Sequence, residues 1–210
     1  MTIKTFISDN KKAIRNNMIW LTLFPTFLLT LIFLNSSTEN SPEKMTMIFI
    51  YVVSIFVFVA FGLTSYYLSW LRKQNSFYKA LSTNPFDKLE SLGFRKEMRF
   101  KNSNFKFTED YYIGTINEFT VLCDIDTKQE SDKIRFNFFL KDNKLEIKEF
   151  INYSKKFQEL DCSSERFMLT KKYKFKKIHF DSIEELKNDL IGITEILKKE
   201  KFEPDEIACC

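Results

Sequence analysis

Cysteine and histidine, the usual residues of zinc sites, are scarce in this chain. Its 210 residues include four cysteines and one histidine. No two cysteines have CxxC spacing, whereas a structural zinc site takes about four Cys or His ligands. We therefore expect no metal, no cofactor and no disulfide framework, which fits a reducing compartment. The cysteines are Cys123, Cys162, Cys209 and Cys210.

Glycine and proline are equally scarce, with four of each. The sequence has no glycine-rich phosphate-binding loop, no HExxH zinc motif and no serine nucleophile elbow. None of the common enzyme classes is indicated, and we expect a protein without enzymatic activity. The abundance of Phe, Lys, Asn and Ile beside so little Gly and Pro is typical of AT-rich genomes, which favours a bacterial source.

Charged residues are absent from two long apolar segments, 18–34 and 45–71, which flank the polar loop 35–44. A helix needs about 20 apolar residues to cross about 30 Å of hydrocarbon. Two such segments separated by a short loop predict a two-span transmembrane hairpin, preceded by a basic amphipathic leader over 1–17. A solvated basic tail is the alternative for the leader.

The cations beside these segments predict the orientation of the hairpin. Lys and Arg are enriched in cytoplasmic loops, and the loop 35–44 holds one Lys against two Glu. Both termini should therefore be cytoplasmic, in a multi-pass protein of the inner (plasma) membrane. Trp20 and Trp70 would then lie at the same interface. The flanking cations are Lys4, Lys11, Lys12 and Arg15 before the first span and Arg72, Lys73 and Lys79 after the second.

Small and hydroxylic residues recur at helical spacing in both spans. Such faces allow close helix approach and interhelical hydrogen bonds in lipid. We predict that these stripes form the helix–helix contact within one hairpin; homo-oligomerisation or a pore lining is the alternative. They comprise Thr22, Thr26 and Thr30 in the first span and Gly62, Ser65 and Ser69 in the second.

The rest of the chain predicts a helical linker over 72–93 and a cytosolic α+β domain over 94–210. Apolar residues alternate in short runs, which indicates an antiparallel sheet of about five to seven strands with one buried face. We expect hairpins over 94–107 and 111–126 and further strands over 134–140, 145–147 and 166–180. The segment 149–160 fits a helix or a strand. Ser182-x-x-Glu185 is a capping box, which predicts a closing amphipathic helix.

Two groups of residues are candidates for chemistry. Asp124 and Asp126 at a strand end could hold a divalent cation or act as acid and base, or could be an ordinary solvated strand end. Lys172, Lys174 and Lys176 share one strand face, which could bind an anionic ligand or an acidic protein. Lysines that protect an edge strand from aggregation are the alternative for that strand.

Charge and layout together shape the functional hypothesis. Residues 76–210 hold equal numbers of basic and acidic residues, so nucleic-acid binding is not predicted. We expect a membrane-anchored, non-enzymatic binding module, regulatory or immunity-type, that recognises a protein partner. The layout is similar to that of membrane-anchored effectors of bacterial cyclic-nucleotide defence, and the alternative is therefore a ligand-gated effector that senses a nucleotide-like anion. A metal-dependent enzyme using Asp124 and Asp126 is the third hypothesis.

Overall fold

The computed structural model shows an α+β protein with a six-stranded antiparallel sheet. Its chain divides into two compact units, Met1–Arg72 with Phe100–Thr108, and Lys73–Arg99 with Glu109–Cys210. The structure describes residues 2–35, 41–125, 133–141, 147–158, 160–165, 167–174 and 180–205.

Three helices build the first unit. Helix α1 (Ile3–Asp9) begins at Thr2, whose hydroxyl accepts a hydrogen bond from Thr5 N. Helix α2 (Lys11–Asn35) follows after Asn10, and α3 (Ser41–Leu81) is the longest helix described. The predicted leader is therefore helical, and α2 begins within it and continues without interruption into the first apolar segment.

Helices α2 and α3 pack in opposite directions. The Tyr51 hydroxyl lies 2.9 Å from the Thr26 carbonyl oxygen, to which it donates. Farther along α3, a Cβ atom added to Gly62 would lie 3.0 Å from Leu21 Cδ1. Contacts farther along α3 therefore fall earlier on α2, as in an antiparallel pair.

One helical segment among the described residues is long and apolar enough to cross a membrane. It is Thr46–Leu81 within α3. The second span of the predicted hairpin and the orientation of both termini stay predictions, and the loop residues 36–40 lie outside the described residues.

A short loop completes the first unit. The predicted strand pairing of Phe105 and Phe107 is wrong, because residues 100–108 leave the sheet and pack on the helices. The ring of Phe107 lies 5.4 Å from that of Phe6, and the indole nitrogen of Trp70 donates to the Thr108 carbonyl oxygen over 2.9 Å. Trp70, expected at the lipid interface, is therefore buried.

The second unit is built on the sheet, in which every neighbouring pair of strands is antiparallel. Its strand order is β1-β2-β3-β4-β6-β5. The strands are β1 (Arg95–Arg99), β2 (Glu109–Ile116), β3 (Phe119–Ile125), β4 (Lys133–Phe139), β5 (Cys162–Glu165) and β6 (Met168–Lys174).

The helices of this unit pack on one face of the sheet. Side chains alternate along a strand, so that one set of residues points into the core. Phe136 and Leu169 of the sheet share this core with Leu190 of α5 (Ile183–Lys199) and Phe157 of α4 (Ile147–Gln158). The short 3₁₀ helix Phe86–Leu92 and the end of α3 contribute to the same core.

Several predictions for this unit are confirmed. The second hairpin forms as β2 and β3, and α5 begins at Ser182, whose hydroxyl accepts from Glu185 N over 3.2 Å. Residues 149–158 of the ambiguous segment are helical, in α4. Its first residue, Ile147, was expected in a strand over 145–147, of which residues 145 and 146 lie outside the described residues. Strand β5 was not predicted, because its four residues show no apolar alternation.

Two glycines give a matched test of this packing. A Cβ atom at Gly114 would lie 2.8 Å from the ring of Phe94, whereas one at Gly192 in α5 would have no atom within 4 Å. We expect Gly114→Ala to destabilise the protein by about 1–3 kcal/mol, and Gly192→Ala to stabilise it by about 0.5–1 kcal/mol. Thermal unfolding of the full chain in detergent micelles, followed by circular dichroism, measures both. Equal stability of the two variants would contradict the packing described for β2.

Candidate functional site

The candidate site lies on the face of the sheet opposite the core, which we call the outer face. An apolar cluster of Tyr111, Ile113 and Leu122 lies there with Phe139 packed against it. All four residues belong to β2, β3 or β4, so in the described part of the chain this cluster is built by strands alone. Within the described part of the second unit, contacts between strands stabilise this cluster.

Asp124 of β3 is the central charged residue of the outer face. It is 5% exposed and forms ion pairs with Arg99 of β1 and with Arg135 of β4, whose Nε lies 2.9 Å from Oδ1. A buried carboxylate is costly unless it is paired, and two guanidinium groups satisfy this one. Asp124 thereby fixes the positions of two arginines that come from different strands.

Neighbouring polar groups extend this network along the sheet. Asn137 Nδ2 donates to Asp124 Oδ1 over 3.4 Å, and Asn137 Oδ1 accepts from the Thr170 hydroxyl over 2.8 Å. On the other side, the guanidinium of Arg99 lies 5.1 Å from the centre of the Tyr111 ring. The Nε atom of Arg99 is buried and has no hydrogen-bond partner among the described residues. The network therefore retains one buried donor that no described group satisfies.

Strand register brings four cations together beside this network. Arg135 lies directly opposite Lys172, and Lys133 lies directly opposite Lys174. Side chains opposite each other are about 5 Å apart, and same-face neighbours along a strand are about 7 Å apart. Like charges at such positions are destabilising. The structure thus places two consecutive like-charge pairs on one face of the sheet.

The lysines predicted as a ligand site lie at this position. Lys172 and Lys174 share the outer face, while Tyr173 between them is buried on the core side. Lys176 lies outside the described residues. Arg99 and Arg135 were not predicted as members of the site. Alternation along each strand could have placed them on a face, but the order of the strands is not readable from the sequence.

The structure describes one of the two aspartates predicted as a site, Asp124. Both carboxylate oxygens of Asp124 are bonded to arginine nitrogens, and Asp126 lies outside the described residues. Within the described ranges, no group of three or more His, Cys, Asp or Glu residues could hold a metal ion.

A second polar cluster joins the end of α3 to the first hairpin. The Tyr78 hydroxyl donates to Asp110 Oδ2 over 2.6 Å, and Lys96 Nζ lies 2.9 Å from the same oxygen. Burial and the hydrogen bond to Asp110 raise the pKa of Tyr78. Burial alone would lower the pKa of Lys96, but its hydrogen bonds with Tyr78 and Asp110 outweigh burial and raise that pKa. The cluster therefore holds Tyr78 neutral and Lys96 charged, which suits a structural clamp.

The residues predicted for the helix–helix contact occupy different environments. Gly62 packs on Leu21, and Thr30 lies 3.2 Å from the Tyr51 hydroxyl, so both are at the contact between α2 and α3. Ser65 and Ser69 are exposed. The hydroxyls of Thr22, Thr26 and Thr30 each donate to the carbonyl oxygen four residues earlier in α2.

Comparison of the chain with protein-family models, curated proteins and solved structures found no match.

The contrast between Gly62 and Ser65 can be tested by one substitution at each. We expect Gly62→Leu to destabilise the helix pair by about 1–3 kcal/mol, since a larger side chain must displace Leu21, and Ser65→Leu to leave its stability unchanged. Thermal unfolding in micelles measures this, and chemical cross-linking reports self-association. A Gly62→Leu protein as stable as the parent would contradict the helix contact, and loss of cross-linked oligomer on Ser65→Leu would favour the homo-oligomer interpretation.

The two described cysteines should be unreactive in the folded protein. Cys123 and Cys162 are buried; burial raises the pKa of Cys123 well above its ordinary value and that of Cys162 to about 11. The raised pKa keeps the thiolate population of each cysteine small at neutral pH. Since the thiolate is the reactive form, both cysteines should react slowly. In a C209S/C210S variant we expect no alkylation by iodoacetamide at pH 8 without denaturant, and two alkylations with it, as measured by intact mass. Labelling of either cysteine in the folded protein would contradict this.

Proposed function

We propose that this protein is a membrane-anchored, non-enzymatic binding module whose outer sheet face recognises an acidic surface on a cytosolic protein partner. The apolar part of α3, with the apolar part of α2 as a second span, anchors it in the inner membrane with both termini in the cytoplasm. A regulatory or immunity-type role is the kind of function that such an anchored recognition domain serves.

The observation that carries this proposal is the pair of like-charge cross-strand positions. Four cations lie at neighbouring positions of the outer face, in the cross-strand pairs Arg135–Lys172 and Lys133–Lys174. Like charges at directly opposed positions repel each other, and an anionic surface that covers these side chains would reduce that repulsion. Complementary charge also raises the rate of association with such a partner.

The network around Asp124 supports the same conclusion. Binding sites are more selective when their side chains are held in place before the partner arrives. Asp124 holds Arg135 on one strand and Arg99 on another, and both arginines are about one-third exposed. A fixed guanidinium group can bind a carboxylate through two parallel hydrogen bonds. The site is therefore prepared for glutamate and aspartate side chains.

The alternative is a ligand-gated membrane effector that senses a small nucleotide-like anion. The unsatisfied Nε of Arg99 beside the cations favours this alternative, because a phosphate oxygen would supply the missing acceptor. The third hypothesis, an enzyme using Asp124, has less support, since a metal ion would compete with two arginines for the same oxygens.

Charge reversal on β6 tests the proposal. We expect Lys172→Glu with Lys174→Glu to lower capture of a cytosolic protein by the full chain about tenfold or more, since two attractive contacts become repulsive. Capture by the parent should also fall with added salt, which screens exposed charges. Affinity capture from bacterial cytosol after chemical cross-linking, quantified by mass spectrometry, measures both effects.

A matched control changes the same charge elsewhere. Lys187 and Lys199 are exposed on α5, and K187E/K199E should capture the partner as the parent does. Equal loss in both double variants, or repeated capture of nothing above background, would overturn the proposal. A rise in Tm of the parent with nucleotide mixtures that is lost in K172E/K174E would favour the ligand-gated alternative instead.

A further inference from the structure

A cleft of about 580 Å³ opens in the first unit where α1 meets α2 and the loop 100–108. Four cationic side chains line it, against one carboxylate, that of Asp9. Among the described residues, none of the four cations forms an ion pair. The cleft is therefore strongly electropositive. The cations are Lys11, Lys12, Arg15 and Lys106.

Hydrogen bonds from two asparagines hold the walls of this cleft in place. Asn10, 3% exposed, accepts from Thr108 N over 2.6 Å and donates to the Phe6 carbonyl oxygen over 3.0 Å. Asn17 donates to the Phe105 carbonyl oxygen over 3.1 Å. The loop is thus fastened to the helices at two points, on either side of the cationic residues of α2.

The loop also has a backbone conformation that presents Lys106 to the cleft. Phe100 and Asn102 have φ values of 61° and 71°, which is uncommon for a bulky residue such as Phe. The turn they form lets the Ser103 hydroxyl accept from Lys106 N over 3.1 Å, and Lys106 Nζ lies 4.7 Å from the centre of the Phe100 ring. Lys106 is therefore positioned by its own loop.

An apolar groove of about 520 Å³ begins where the cleft ends. The groove runs along α2 past Ile14, Met18 and Ile19, and shares Lys11 and Arg15 with the cleft. A cationic cleft continuous with an apolar groove matches a molecule with an anionic head and a hydrocarbon tail. Basic pockets beside membrane spans on the cytoplasmic side bind anionic lipid head groups.

We infer that this cleft and groove bind one anionic phospholipid, with its phosphate among Lys11, Arg15 and Lys106 and an acyl chain along α2. The inference rests on the proposed membrane placement of α2, and is independent of the partner proposed for the outer face. The lipid would fix the start of α2 at the headgroup layer.

The test compares two lipids around the full chain. The protein is reconstituted into vesicles of phosphatidylcholine that carry trace spin-labelled phosphatidylglycerol or phosphatidylcholine, and electron paramagnetic resonance measures the association of each lipid. Each cation should contribute about fivefold to the preference for phosphatidylglycerol. We expect the preference to be about 100-fold in the parent and about 25-fold lower in K11Q/R15Q, in which Lys106 still contributes.

The matched control is K4Q/K101Q, which removes two lysines of the same unit that do not line the cleft or groove. It should keep the preference of the parent. Equal preference for the two lipids in the parent, or equal loss in both double variants, would overturn the lipid site. Should K11Q/R15Q lose helical signal by circular dichroism, K106Q replaces it: a fall of about fivefold supports the site, and no fall overturns it.

Two further measurements distinguish a bound lipid from a soluble phosphate ester, and loss of the lipid site from loss of the membrane anchor. Glycerol phosphate added in solution should leave the spin-labelled lipid bound; displacement would overturn the lipid in favour of a soluble phosphate ester. Retention of the protein in phosphatidylcholine vesicles after a carbonate wash tests membrane placement by itself. Release in that wash would overturn both the anchor and the lipid site, whereas retention without lipid preference would overturn the lipid site alone.

Discussion

A sheet that has helices on one face only must hold its second face together with its own side chains. In the described part of the second unit, the helices pack on the face that carries Phe136 and Leu169, and the outer-face cluster of Tyr111, Ile113 and Leu122 is built by strands. Asp124 provides the main polar contact between strands on the outer face, because its buried carboxylate pairs with both Arg99 of β1 and Arg135 of β4. Removing it would leave two arginines without their shared anion, which costs more than the pair contributes in its intact state.

Burial of apolar side chains also explains which helices and strands could be predicted from the sequence. Strands β2, β3 and β4 and helix α5 were predictable because each places apolar residues on its core side, where they recur with the period of the element. The expectation of a single buried face was wrong for β3, whose outer-face residues Leu122 and Asp124 are also buried. The loop 100–108 was not, since Phe105 and Phe107 continue the alternation of a strand. Their positions are decided by partners far away in the sequence, the ring of Phe6 and the side chain of Asn17. Local pattern carries no information about such partners.

The sequence predicts which sheet face the residues of the candidate site lie on, but it does not predict which strands are neighbours. That Lys172 and Lys174 share a face opposite Tyr173 follows from the two-residue period of a strand. That Arg135 and Lys133 lie opposite them follows only from the pairing of β4 with β6, which skips β5 in the chain order. A sequence pattern yields the face of a residue, whereas the site is defined by which strands are neighbours.

The basic residues of the first unit have an explanation beyond orientation. Lys and Arg near the ends of spans set topology when they lie within about 15–20 residues of the span, and Lys11 and Arg15 satisfy this rule under the proposal that α2 is a second span. Lys106 lies farther along the chain than the rule reaches, yet its loop is fastened by Asn10 so that it lines the same cleft. Topology alone gives no reason for this position. A bound anion does, because a cation brought from a distant loop to a cluster of cations raises their repulsion unless an anion lies between them.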